Sequence, residues 1–149
     1  MRAKSGFTLV EILIVVVILG ILAAIVIPQF TDASTEAKTS SLCSDLQTVR
    51  SQLELYKIQH NDALPVPESG GATWTEMTMY TDISGNTNAT KTAVYKYGPY
   101  LQKIPTNPFN DSSVIDVDGA TIGDSGGGWN FNTTTGAFYA DDSVAHGAL

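Results

Sequence analysis

FTLVEILIVVVILGILAAIVI, residues 7–27, is the stretch that decides how this chain is built. Only Thr8, Glu11 and Gly20 interrupt its apolar character. As a helix rising 1.5 Å per residue, about 21 residues span roughly 30 Å, the thickness of a bilayer core. Upstream stands a short basic stub, Met1-Arg2-Ala3-Lys4-Ser5-Gly6. Arg2 and Lys4 predict that the stub stays cytoplasmic and that the rest faces outward, in a single membrane pass. An ordinary secretory signal ends in a small-x-small cleavage site after about 7–15 apolar residues. The nearest candidate, Ala23-Ala24, comes late and runs straight on into Ile25-Val26-Ile27. The segment reads as retained.

Glu11 is the anomaly in that run. A carboxylate within an apolar helix costs about 2.5–3.5 kcal/mol on insertion scales. A lone acid near one end can snorkel to the headgroups; the alternative is that it waits for a partner charge on another subunit.

Downstream the helix is predicted to continue. Leu42, Leu46, Val49, Leu53 and Tyr56 follow 4-3-4-3 spacing, one apolar stripe suited to packing on a head domain. Asp32, Glu36, Lys38, Asp45, Arg50 and Glu54 lie off it, and Cys43 beside it is expected to be a small buried filler. Pro28 removes one backbone donor, so with Gly20 it marks Gly20–Pro28 as the weakest part of the helix. The helix should stop near His60-Asn61-Asp62, before Pro65 and Pro67. Beyond it lies a β-leaning head. Strands are expected at Thr92–Tyr97, Val114–Val117 and Ala120–Ile122, with a hairpin over Gly128–Ala140 whose turn is Thr133–Gly136. The fold class is α+β: a long N-terminal helix packed on a small antiparallel β-sheet head. Its parts are a basic leader (1–6), a transmembrane half-helix (7–28), an amphipathic half-helix (29–62) and the head (63–149).

Composition narrows the function. A net charge of −7 is a poor match to nucleic acid, so none is expected as a partner. The single Cys43 excludes an intramolecular disulfide, so the head must hold together by packing, a metal or its neighbours. Ten of the 13 aromatic residues lie in the head, enough for a small core.

Gly6-Phe7-Thr8-Leu9-Val10-Glu11, with the apolar helix behind it, resembles the class III signal of type IV prepilins and pseudopilins, which reads G-F-T-L-x-E. The resemblance is close over the first quarter of the chain, through Gly20 and Pro28 to Ala33. It implies that a prepilin peptidase cuts after Gly6 and methylates the new amine of Phe7. It also implies that Glu11 neutralises the N-terminal ammonium of a neighbour as the subunit enters a homo-oligomeric filament, and that Gly20–Pro28 can unwind there. The implied partners are an inner-membrane assembly platform and minor pilins or pseudopilins. Cutting after Gly6 removes both leader cations and leaves an α-ammonium with a reference pKa of about 8, largely charged at neutral pH. Pairing it with Glu11 across subunits relieves two penalties at once.

Gly98-Pro-Tyr-Leu-Gln-Lys-Ile-Pro-Thr-Asn-Pro-Phe109 and Trp129-Asn-Phe131 with Thr135-Gly136 are similar to segments of G-type major pseudopilins of type II secretion. That resemblance implies a periplasmic pseudopilus subunit. Two alternatives stay open: a surface type IV pilin for adhesion, motility or DNA uptake, and a monomeric membrane-anchored binding module. Only the filament readings need the Gly6/Phe7/Glu11 constellation. Asp116, Asp118 and Asp124 are candidate calcium ligands, as hard cations take clustered carboxylates, although the segment does not match an EF-hand. Asp116-Val-Asp-Gly-Ala-Thr121 is similar to a phosphatase nucleophile motif with its threonine one place late, and is read as an Asp-Gly turn. His60 and His146 have no nucleophile beside them in a recognisable pattern, and no enzyme is expected.

Overall fold

The computed structural model describes residues 6–68, 71, 73–119, 121–123 and 126–149. Helix α1 runs without a break over Leu9–Gln59 and includes Pro28. Contacts divide the chain into two units, Met1–Ala37 and Lys38–Leu149.

In the first unit the helix is exposed all round, from Leu9 through Ala37. Its apolar window has no buried residue, so it is not the core helix of a soluble domain, and its length and composition suffice to cross a membrane. Pro28 brings no N–H for the Ala24 carbonyl. One turn later the Thr31 hydroxyl donates to the Ile27 carbonyl at 3.1 Å. The helix runs on through the proline, one backbone hydrogen bond short.

In the second unit the expected stripe is the buried one: Leu42, Leu46, Val49, Leu53 and Tyr56. It packs against Trp74, Met77, Ile115, Trp129, Phe131 and Phe138. Aromatic pairs lock that core, with Trp74 and Phe131 ring centres 4.8 Å apart and Trp129 and Phe138 at 5.3 Å. α1 ends at Gln59, after which Asn61 (φ 52°) and Asp62 (φ 63°) turn the chain out of the helix. Asn and Asp tolerate that left-handed conformation better than most residues.

A short helix α2 (Thr75–Thr78) follows, then β1 (Tyr80–Thr81) and β2 (Thr87–Asn88), paired antiparallel. The main sheet comprises β3 (Ile115–Val117), β4 (Trp129–Phe131) and β5 (Phe138–Ala140), in the order β3-β4-β5. β4 and β5 form the expected antiparallel hairpin, with Phe131 opposite Phe138. Its turn is organised by Asn132, whose side-chain oxygen accepts the N–H groups of Thr134 and Thr135 at 3.0 and 2.8 Å. Gly136 closes it at φ 75°. β3, by contrast, is parallel to β4, so the sheet is mixed rather than wholly antiparallel. A final turn, α3, spans Val144–Gly147.

Three expectations are corrected. Thr92–Tyr97 is not a strand: its alternation is carried by bends, and only Tyr97 forms a bridge, to Thr81. Thr121 and Ile122 lie in a bend and turn, and Ala120 of that expected strand is outside the described residues. Cys43 is exposed, one position round the helix from the buried Leu42. The Asp-Gly turn is present, with Asp118 at φ 53° just after β3.

Candidate functional site

The first turn of α1 carries the residues on which assembly would depend. With Leu9 as the first helical residue, Thr8 is the N-cap and Glu11 the third residue, the spacing of a capping box. One carboxylate oxygen, Glu11 Oε2, accepts both the Thr8 backbone N–H and the Thr8 hydroxyl at 2.8 Å. The Thr8 hydroxyl accepts the Glu11 N–H at 3.2 Å. Two backbone donors that no helical carbonyl can reach are thus satisfied within four residues. The T-x-x-E signature was present in the sequence and marks Thr8 as the cap. Phe7, immediately before the cap, is 83% exposed. The five residues before Gly6, including Arg2 and Lys4, lie outside the described residues.

Among the described residues nothing covers the apolar half of α1. A side chain at Gly20 would meet no atom within 4 Å. Phe30 is 75% exposed, and Val10, Leu13, Val17 and Ile21 are more than half exposed. Burying a side chain of this kind is worth about 1.5–3 kcal/mol, so a stripe of this length demands lipid or another protein around it. The prokaryotic N-terminal methylation motif matches residues 1–27. The chain is also 34% identical over 110 residues to type II secretion system core protein G of Pseudomonas aeruginosa, covering 74% of this chain and 71% of that one. The chain belongs to this pilin-like family. The same core protein G from Vibrio cholerae is 29% identical over 126 residues, 78% of this chain and 80% of its own. The type IV narrow pilus major component PilA5 of Thermus thermophilus is 38% identical over 98 residues, 60% of this chain and 84% of its own. No solved structure gives a match. A member of a structural pilin family with an exposed apolar N-terminal helix fits membrane anchoring and filament assembly.

The head of this family member is closed by polar side chains in place of a disulfide. Arg50, off the apolar stripe as expected, donates to the Phe138 carbonyl through Nε (3.0 Å) and Nη2 (2.8 Å) and to the Leu149 carbonyl through Nη1 (3.0 Å). Asn107, fully buried, donates to the Gly128 carbonyl at 2.9 Å and to Asp142 Oδ1 at 2.7 Å, and accepts the Phe109 N–H at 2.9 Å. Trp129 Nε1 donates to the Pro105 carbonyl at 2.8 Å. The Gly98–Phe109 loop is therefore pinned to the hairpin by Asn107 and Trp129. Burial works against the Asp142 carboxylate, but hydrogen bonds from His146 and Asn107 outweigh it and hold its pKa below the usual carboxylate value.

Of the candidate calcium residues, Asp118 is taken up by Thr133. Both Asp118 oxygens face Thr133, one taking its backbone N–H at 2.8 Å and the other its hydroxyl. Those two bonds, the hydroxyl's first, lower the Asp118 pKa. Asp124 lies outside the described residues, and among the described ones no group of three metal-ligating side chains could hold an ion.

Proposed function

We propose that this chain is made as a prepilin, cleaved between Gly6 and Phe7, N-methylated at Phe7, and polymerised through its N-terminal helix into the periplasmic pseudopilus of a type II secretion system. The prepilin peptidase, an inner-membrane assembly platform and minor pseudopilins are its partners, and the leader faces the cytoplasm before cleavage. The observation that carries this reading is the apolar half of α1, exposed all round and headed by one carboxylate. Cleavage supplies the missing cation at the Phe7 amine, and a neighbouring subunit brings it to Glu11. A second reading, a surface pilus, is favoured by the similarity to a narrow-pilus major component. Imaging cells for surface fibres beside a protein-secretion assay separates the two.

Glu11 tests the mechanism. In Glu11→Leu the neighbour's ammonium is buried without a counter-charge, and breaking such a pair costs about 3–5 kcal/mol. That is enough to cut assembly by roughly two orders of magnitude or more at fixed subunit concentration. Intact mass should still show a chain beginning at methylated Phe7, while filaments are lost. Glu11→Asp should be intermediate. Wild-type filament yield from Glu11→Leu would return the anchored binding module to first place, and a chain beginning after Ala23 or Ala24 would make residues 7–27 a discarded signal.

A further inference from the structure

The Gly6–Phe7 bond, where the leader would be cut, lies just outside α1. The helix begins at Leu9, and Gly6 and Phe7 precede it in exposed, non-helical backbone. A side chain at Gly6 would meet no atom within 4 Å. Independently of that geometry, the same stretch falls inside the match to the prokaryotic N-terminal methylation motif, residues 1–27.

What holds the helix start at Leu9 is the Thr8 hydroxyl, which accepts the Glu11 N–H at 3.2 Å. In a helix wound one turn further, that N–H would bond to the Phe7 carbonyl and the Val10 N–H to the Gly6 carbonyl. Donors without acceptors are costly in apolar surroundings, so a helix that loses its cap winds on rather than frays. Ser5 is the next residue upstream of a type that caps helices. Winding on would tie up the Gly6 carbonyl, the group that peptide hydrolysis must attack and whose oxygen it must stabilise as charge develops.

We propose that Thr8 is a positioning residue for leader removal: by ending α1 at Leu9 it keeps the Gly6–Phe7 peptide out of the helix and the Gly6 carbonyl free for the prepilin peptidase. Water adds to the Gly6 carbonyl carbon, the bond to the Phe7 nitrogen breaks, and the proton goes to that nitrogen, leaving a Gly6 carboxyl group and the Phe7 amine. Glu11 is secondary in this step. Its carboxylate accepts the Thr8 N–H, but the Thr8 hydroxyl caps the backbone of residue 11 whatever side chain stands there. Cleavage therefore depends on Thr8, and assembly on Glu11. The inference rests on the reading of the chain as a prepilin.

The test uses the full-length chain in lipid vesicles with its purified prepilin peptidase, leader release being followed over time by intact mass. Thr8→Val keeps the shape and branching of the side chain and removes only the acceptor. It should lower kcat/KM for cleavage about fivefold or more, the equilibrium value of one lost cap. Thr8→Ser, which caps as well, should restore the rate to within about twofold of wild type, and Glu11→Leu should stay within the same range. Amide hydrogen exchange reads the helix start directly: the Val10 N–H should gain protection in Thr8→Val and not in Thr8→Ser. A wild-type rate for Thr8→Val overturns the inference. So does a slow Thr8→Val without new protection at Val10, or a Thr8→Ser equally slow, since the peptidase would then be reading the threonine itself. A wild-type chain left uncut between Gly6 and Phe7 overturns the prepilin reading.

Discussion

Replacing Arg50 with methionine should unfold the head more easily than a surface change has any right to. β5 is an edge strand of the β3-β4-β5 sheet, and the carbonyl of its buried Phe138 receives two of Arg50's N–H groups. Methionine preserves the aliphatic stem and the helix propensity, so packing and α1 itself are little disturbed. What disappears is a charged donor to a carbonyl that water reaches poorly. Bonds to charged groups are worth about 1.5–3 kcal/mol, and stranding a buried acceptor costs about 1–3 kcal/mol. The third bond, to the exposed Leu149, is replaced by water and adds little. The expected loss is about 2–3 kcal/mol, or roughly 8–12 °C in the melting temperature of a domain near this size. Thermal unfolding of a fragment beginning at residue 31, followed by circular dichroism, measures it. Arg50→Lys, with one ammonium in place of a planar fork, should lie between. A loss below about 0.5 kcal/mol for Arg50→Met, typical of ordinary surface substitutions, would refute the clamp.

Asn107→Ala should cost about 3 kcal/mol in the same assay, because three bonds at a fully buried site lose their shared partner; a change under about 1 kcal/mol would show that water substitutes. Glu76 is held above its normal pKa of 4.5 chiefly by burial, against the Val66 N–H and the influence of His60. Its charged form is therefore disfavoured in the folded state, and the head loses stability as pH rises from the ordinary glutamate value through the raised one. Glu76→Gln should flatten that slope and leave the head at least as stable at pH 7, read from melting curves between pH 4 and 7; an unchanged slope contradicts it. Millimolar calcium should leave the melting temperature where it is, since Thr133 occupies Asp118. A rise would mean that Asp118 exchanges Thr133 for the ion together with Asp116 and Asp124.

Periodicity was legible where burial is one-sided. The 4-3-4-3 stripe named all five buried residues of α1 because a helix against a head must keep one face apolar. The Trp129–Ala140 hairpin was legible because turn chemistry at Thr133–Gly136 separates two short aromatic-bearing runs. Thr92–Tyr97 misled for the same reason in reverse: alternation without a partner strand is only alternation, and Tyr97 pairs through a single bridge. Cys43 misled because adjacency in sequence rotates a residue about 100° round a helix, off the stripe. The parallel placement of β3 beside β4 leaves no local mark, as it depends on the intervening loop. Arg50 and Asn107 were invisible because their partners are mostly main-chain groups, to which any sequence is equally silent.

The Thr8–Glu11 cap changes what assembly has to accomplish. Under the proposed assembly, a subunit waiting in the bilayer would not carry a bare carboxylate, since Glu11 is already held by two donors from its own chain. Meeting a neighbour's ammonium then becomes an exchange of one host for another, and the net gain is only the difference between them. Such a trade can run in either direction as conditions change. On that proposal the chain would wait with its acid already hosted, and assembly would exchange one host for another.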